Sequence, residues 1–200
     1  MFARDRLDVG TRALLAQLPT GLSGHLADLG CGNGALALAL ARRNPEAVVL
    51  GVDESYQAVA SARANAERAE LGPPRVSFEV ADGLEAVAAA SLDLIVCNPP
   101  FHQDRTVGDL LAWRMFSQAR RALVARGRLL VVGNRSLGHG RRLERLEVRH
   151  LAVEQVHVAG RAADGLHQGR PGAQETLLIR IQNRHERDFG QVQPFPQKVY

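Results

Sequence analysis

The tetrapeptide Asn98-Pro99-Pro100-Phe101 carries the most specific chemistry in this sequence, and it directly follows an apolar run at 92–97. The Asn98 amide oxygen and the Pro99 carbonyl can both accept hydrogen bonds from one exocyclic NH2 group. The ring of Phe101 offers a surface on which a flat base can stack. The tetrapeptide is therefore typical of a clamp for a planar amine. The plain structural alternatives are a strand-end Asx turn for Asn98 and loop packing for Phe101.

A second chemical signal is the glycine-rich segment DLGCGNG at 28–34, which lies where an apolar run ends and an amphipathic stretch begins. Glycines at such a turn let the backbone bend tightly and approach a ligand, and the following helix supplies free N–H donors. The pattern indicates a cofactor loop, although glycine-rich turns also occur for purely structural reasons. The predicted cofactor ligands in this segment are Asp28, Gly30, Gly32, Asn33 and Gly34.

Two further carboxylates end the next two predicted strands. Asp53 is placed where a carboxylate can accept from both hydroxyls of a ribose, or where it can cap a helix. Asp82, followed by Gly83, could accept from an adenine amine or cap the helix after it. Because the carboxyl ends of parallel strands meet at one edge of a sheet, these acids and Asp28 are expected in one crevice. Asn98 ends a fourth strand and is included among the predicted cofactor contacts.

Apolar runs alternate with amphipathic stretches along the chain, which is the pattern of a parallel sheet covered by helices. The predicted strands are 26–29, 47–52, 76–80, 92–97 and 128–133, and the predicted helices are 11–18, 34–43, 55–70, 108–125 and 140–147. Two later segments, 150–160 and 175–181, could form a hairpin or a diverged terminus that pairs poorly. We predict one domain over 1–182 and a mobile tail over 183–200.

Length and composition favour a single cytoplasmic domain. The chain has 200 residues, of which 46% are hydrophobic, and this is enough for one full core. It has no uncharged apolar stretch of about 18 residues, so no membrane partner is predicted. Cys31 and Cys97 show neither disulfide nor zinc-ligand spacing, and no metal site is predicted. The sequence does not indicate an oligomeric state.

Positive charge is concentrated after the tetrapeptide. Residues 105–150 contain 11 arginines and 3 acidic residues, a net charge of +8, whereas residues 1–104 carry a net charge of −5. This basic block predicts phosphate contacts to a nucleic acid, and the alternative is an ordinary solvated helix face. Its arginines are Arg105, Arg114, Arg120, Arg121, Arg126, Arg128, Arg135, Arg141, Arg142, Arg145 and Arg149.

Together these motifs resemble the S-adenosylmethionine-dependent methyltransferases of the Rossmann-like class, and more narrowly the ribosomal RNA guanine-N2 methyltransferases. The narrower resemblance extends from residue 2 to about residue 146. It rests on the segments FARDRLDVGT at 2–11, VDESY at 52–56, CNPPFHQ at 97–103, AWRMF at 112–116 and VGNRSL at 132–137. The last three segments favour the large-subunit rRNA enzyme over the small-subunit one.

The resemblance implies an α/β fold with a mostly parallel seven-stranded sheet, helices on both faces, S-adenosylmethionine as cofactor and rRNA as partner. It implies direct displacement at guanine N2, with 23S rRNA favoured over 16S rRNA. Asn98 and Pro99 would hold the N2 hydrogens, Phe101 would stack on the base, and no strong general base is needed.

The sequence departs from the family pattern in two places. The bacterial enzymes are similar to a tandem of two methyltransferase-like domains, and this sequence corresponds to the second; its ending, ETLLIRI at 175–181, also differs from the family's closing strand. Arg4, Arg6 and Asp8 either lie over the cofactor, as the resemblance implies, or form a solvated N-terminal end. The alternative functions are methyl transfer to adenine N6 or a protein glutamine amide, and a non-catalytic module that binds RNA or cofactor.

Overall fold

A computed structural model describes residues 7–99, 105–134, 151–158 and 176–183. Within these ranges the chain forms seven strands and four helices. The strands are β1 (Gly24–Leu29), β2 (Ala47–Asp53), β3 (Val76–Val80), β4 (Leu92–Cys97), β5 (Leu123–Asn134), β6 (Leu151–Val158) and β7 (Thr176–Asn183). The helices are α1 (Val9–Gln17), α2 (Ala35–Arg43), α3 (Tyr56–Arg68) and α4 (Arg105–Ala122).

All seven strands form one sheet in the order β3-β2-β1-β4-β5-β7-β6. The first five strands in this order are parallel, and β7 runs antiparallel between β5 and β6. The order reverses at β1, which has β2 on one side and β4 on the other. In sheets of this kind, ligands bind outside the carboxyl ends of the strands at the reversal point. The predicted mostly parallel seven-stranded sheet is confirmed.

Helices cover both faces of the sheet, as predicted. On one face, α1, α2 and α3 pack against strand residues that include Leu26, Val49 and Leu94. On the other face, α4 packs against residues that include Leu29 and Ile95. In the described part of the chain, no helix is both long enough and apolar enough to cross a membrane.

The boundary between α4 and β5 differs from the prediction, which extended the helix to 125 and began the strand at 128. The helix ends at Ala122 and the strand begins at Leu123. Two backbone N–H groups before β4, those of Ala90 and Ser91, donate to the carbonyls of Arg121 and Ala122. These hydrogen bonds end the helix, and pairing of Leu123 with β4 draws the chain into the sheet against its local helical pattern.

Of the two possibilities left open for the C-terminal segments, the structure shows the antiparallel pair rather than a terminus that pairs poorly. Strands β6 and β7 pair antiparallel, with Val156 opposite Leu178, and β7 continues the sheet by pairing with β5. The predicted helix at 140–147 lies outside the described residues. The predicted tail at 183–200 began one residue too early, because Asn183 pairs within the sheet as the last residue of β7. The rest of that segment also lies outside the described residues.

The packing around Phe78 gives a test of the fold. A Cβ atom at Gly51 would lie 2.4 Å from Phe78 Cδ1, and Phe78 is buried, so Gly51→Ala must displace a packed ring. We expect this variant to lower the free energy of unfolding by about 1–3 kcal/mol, measured by urea denaturation. Gly72→Ala is the matched control, since nothing lies within 4 Å of its Cβ position. Equal stability of the two variants would contradict this packing.

Candidate active site

The turn between β1 and α2 is hydrogen-bonded to β2 and borders open space at Gly32. The N–H groups of Gly30 and Cys31 both donate to the Val52 carbonyl at 2.9 Å, which fastens the turn to the end of β2. Gly32 has a φ of +53°, in the left-handed region that favours glycine, and a Cβ there would meet no atom within 4 Å. The backbone at Gly32 therefore borders open space, where a ligand can approach it closely.

The neighbouring Gly34 is required for packing instead. It caps the N-terminus of α2 with a φ of +82°, and a Cβ at this position would lie 2.9 Å from Phe78 Cζ. Asn33 accepts from the N–H of Ala35 through its side chain, and its carbonyl accepts from the side chain of Asn65 on α3. These contacts fix the turn between two helices, and the predicted roles of Asn33 and Gly34 in binding a cofactor stay predictions.

Asp28 lies beneath this turn and is completely buried. Its Oδ2 accepts from the N–H of Ala37 in the first turn of α2, while its Oδ1 is buried without a hydrogen-bond partner among the described residues. Burial raises the pKa of Asp28 from its usual 3.8 to about 7; the hydrogen bond from Ala37 lowers it, and the charge of Asp53 adds to the rise. Asp28 thus supports the helix N-terminus from below.

Asp53, at the end of β2, joins the turn to the next helix. Its Oδ2 accepts from the N–H of Gly32 and its Oδ1 accepts from the N–H of Ser55, both at 2.9 Å. Ser55 in turn caps α3 through its own side chain, so the helix-cap alternative for Asp53 is not what the structure shows. Each carboxylate oxygen keeps a free lone pair for a further donor, which suits a diol.

The turn after β3 is clasped by α4. Arg114 forms an ion pair with Asp82 Oδ1 at 2.5 Å, with both side chains about half exposed. Gln118 donates to the Asp82 carbonyl and accepts from the N–H of Leu84. Gly83 has a φ of +62°, and a Cβ there would collide with the Gln118 side chain. Arg114 thus occupies one Asp82 oxygen, and the predicted roles of Asp82 and Gly83 in binding a cofactor stay predictions. The sequence pattern gave no signal for Gln118.

Asn98 follows β4 directly and is held from α1. Its Nδ2 donates to Asp8 Oδ1 and to Thr11 Oγ1, both at 3.1 Å. Asp8 is also the N-cap of α1, where it accepts from the Thr11 N–H. Pro99 is buried, and Pro100 and Phe101 lie outside the described residues, as do Arg4 and Arg6. The predicted roles of Pro99 and Phe101, and of Asp8 over the cofactor, stay predictions.

Strand pairing brings these groups to one crevice. Leu29 is opposite both Val52 and Cys97, so the glycine-rich turn, Asp53 and Asn98 follow three adjacent strand ends. Val80, which precedes the Asp82 turn, is opposite Asp53 on the other side. The predicted convergence of these elements at one edge of the sheet is what the structure shows.

The two cysteines are packed beneath the crevice. Burial raises the pKa of both Cys31 and Cys97 above the usual thiol value, and nearby carboxylate charge adds to the rise. Both are therefore neutral thiols rather than nucleophiles. Within the described part of the chain, no three His, Cys, Asp or Glu side chains come together as a metal site.

Some of the described arginines of the basic block make contacts within the protein, and others are exposed to solvent. Arg114 pairs with Asp82, and Arg121 donates to the carbonyls of Leu84 and Glu85. Arg120 and Arg128 are exposed on the surface. Two of these arginines thus stabilise α4 against the β3–β4 connection, and phosphate binding by the block stays a prediction.

The fold and this crevice together define a Rossmann-like class I methyltransferase domain. A 16S rRNA N2 methyltransferase (RsmC) of T. thermophilus, solved with AdoMet and guanosine, shares the fold with a TM-score of 0.69 and 27% identity. The similarity covers 92% of this chain and 45% of that one. A predicted O-methyltransferase of Agrobacterium tumefaciens shares the fold alone, with a TM-score of 0.67 and 19% identity over 88% of this chain and 81% of that one.

The chain belongs to the methyltransferase small domain family, whose model matches residues 1–158. It is 56% identical over 157 residues to a protein of Pseudomonas paraeruginosa named ribosomal RNA large subunit methyltransferase G. A protein of the same name from Pseudomonas putida is 55% identical over 157 residues. Each match covers 78% of this chain and 41% of the relative, so the chain spans less than half the length of these relatives.

The buried Asp28 gives a prediction for pH dependence. The pKa of Asp28 is higher in the folded protein than in the unfolded chain, so the folded state favours the protonated carboxyl. The stability that this protonation contributes is fully present below about pH 4 and is lost as the pH rises towards 7. We expect Asp28→Asn to make the free energy of unfolding less dependent on pH in this window, measured by urea denaturation at a series of pH values. A variant with the wild-type pH dependence would show that Asp28 does not titrate in this way.

Proposed function

We propose that this chain transfers a methyl group from S-adenosylmethionine to the exocyclic N2 of a guanine in ribosomal RNA, with 23S rRNA favoured over 16S rRNA. The observation that carries the proposal is the state of Asn98. Both Nδ2 hydrogens are held by Asp8 and Thr11, so the amide oxygen is kept as an acceptor beside the glycine-rich turn.

The crevice has the groups that S-adenosylmethionine needs. The open backbone at Gly32 leaves room for close approach of a ligand, and the helix α2 begins just after it. Asp53 retains lone pairs for two ribose hydroxyls, and Asp82 retains one oxygen for an adenine amine. Bound S-adenosylmethionine supplies a methyl group activated by its sulfonium.

The substrate amine must be oriented for the reaction, and it does not need a general base to remove its proton first. The N2 lone pair of guanine is delocalised into the ring, and acceptors that hold its hydrogens favour a more tetrahedral, more nucleophilic nitrogen. Asn98 Oδ1 would accept one hydrogen and the Pro99 carbonyl the other, with Phe101 stacked on the base. Fixing the nitrogen in line with the methyl group supplies much of the rate gain. The proton is lost after methylation, so no catalytic His or Cys is required.

Ribosomal RNA is the substrate class that the relatives and the charge favour. The Pseudomonas relatives are named as large-subunit rRNA methyltransferases, and the net charge of +8 over 105–150 suits phosphate contacts. An rRNA substrate implies a cytoplasmic protein. A base in a duplex must flip out at a cost of a few kcal/mol, which favours an unpaired guanine.

Loss of the Asn98 amide tests the clamp. We expect Asn98→Ala to reduce methyl transfer to deproteinised rRNA by roughly a hundredfold or more, because the N2 hydrogens lose an oriented acceptor. The measurement is incorporation of labelled methyl groups, with cofactor affinity by calorimetry as the control, which should fall much less than the rate of methyl transfer. Full activity in this variant would show that the clamp is wrong.

Asp53 and its neighbour provide a matched pair for the cofactor site. We expect Asp53→Ala to weaken S-adenosylmethionine binding by about tenfold or more, because it removes a charged acceptor and releases the N–H groups of Gly32 and Ser55. Glu54→Ala removes the adjacent exposed carboxylate and should leave the affinity unchanged. Equal losses in both variants would point to general electrostatics instead of a ribose contact.

A further inference from the structure

The contacts between α1 and Asn98 join parts of the chain that are distant in sequence. The Asp8 carboxylate accepts a hydrogen bond from the Thr11 hydroxyl at 2.6 Å and another from Asn98 Nδ2 at 3.1 Å. The second Nδ2 hydrogen of Asn98 is donated to Thr11 Oγ1. Thr11 is buried, whereas Asp8 is exposed. The three side chains thus form a closed triangle at the carboxyl end of β4.

The direction of every hydrogen bond in this triangle follows from Asp8. An ionised carboxylate can only accept, so the Thr11 hydroxyl must donate to it and turn its lone pairs to Asn98. Although Asp8 is exposed as a residue, partial burial of its carboxylate acts to raise its pKa. Hydrogen bonds from Thr11 and Asn98 outweigh this effect, and the pKa lies below the usual value. A flipped Asn98 amide would set its oxygen against two acceptors. The triangle therefore selects one of the two amide orientations.

Gly10 lies beside the oxygen of that amide. A Cβ at Gly10 would lie 2.6 Å from Asn98 Oδ1 and 3.1 Å from Val132 Cγ1, and Gly10 occupies the first turn of α1 without a positive φ. Glycine is therefore needed here for space and not for backbone conformation. The two Asn98 hydrogen bonds to Asp8 and Thr11 both use Nδ2, and the missing side chain at Gly10 leaves space beside Oδ1.

We propose that Asp8 and Thr11 are positioning residues that hold the Asn98 amide with its oxygen available to the substrate amine, and that Gly10 keeps this oxygen uncovered. This rests on the proposed function for its substrate, but the geometry of the triangle stands without it. In this proposal Asp8, Thr11 and Gly10 act through Asn98 and do not themselves touch the substrate base.

Asp8→Ser separates positioning from helix capping. Serine is as good an N-cap as aspartate, but its side chain is too short to accept from Asn98 as well. We expect the unfolding midpoint and the cofactor affinity to stay near wild type while kcat for rRNA methylation falls about tenfold, as expected for one lost hydrogen bond. Thr11→Val, which keeps the side-chain shape, should act the same way. Wild-type kcat in both variants would overturn the proposal.

A second measurement uses the Asn98 side-chain amide itself, observed by 1H–15N NMR and assigned from its absence in Asn98→Ala. We expect its hydrogens to exchange with water about tenfold faster in Asp8→Ser than in wild type, because one acceptor is lost. Equal exchange rates would overturn the proposal. This readout needs no substrate, so a failure of the proposed function, seen as full activity of Asn98→Ala, remains distinguishable from a failure of the positioning.

Discussion

The parallel pairing of β1 with β4 is the constraint on which the rest of the site depends. It sets Leu29 opposite Cys97, so the glycine-rich turn and Asn98 leave the sheet side by side at the reversal of strand order. Most residues of both strands are buried, with Leu26 and Leu94 packed in one core cluster and Ala27 and Ile95 in the other. A shift by one residue would exchange the two sets of packed side chains, so the cores fix the register. The distance between the glycine-rich turn and Asn98 is thereby set by the core.

Most polar groups of the crevice also have a structural partner. Asp28 supports the start of α2, Asp53 joins the turn to α3, and Asp82 is paired with Arg114 on α4. The Asp53 and Asp82 side chains are therefore held in place by the protein itself, which reduces the ordering needed for any ligand that binds beside them. Asn98 follows the same rule, since Asp8 and Thr11 occupy its donors and leave its acceptor.

The sequence predicted the parallel strands well, because buried apolar runs bounded by turns are unambiguous; β3 and β4 have the predicted bounds. It placed the end of α4 too late, because the hydrogen bonds of Ala90 and Ser91 that end this helix come from a distant segment. The triangle around Asn98 was beyond prediction for the same reason. An aspartate just before an amphipathic stretch is a candidate helix cap, but nothing local shows that Asp8 also meets the end of β4.

In the proposed reaction, an oriented acceptor on Asn98 serves the N2 amine of an rRNA guanine. The most direct test is to incubate the protein and labelled S-adenosylmethionine with 23S rRNA, 16S rRNA or DNA in separate reactions. Each nucleic acid is then digested to nucleosides. The account predicts labelled N2-methylguanosine from 23S rRNA. Label recovered as N6-methyladenosine, or found in DNA and absent from both rRNAs, would contradict it.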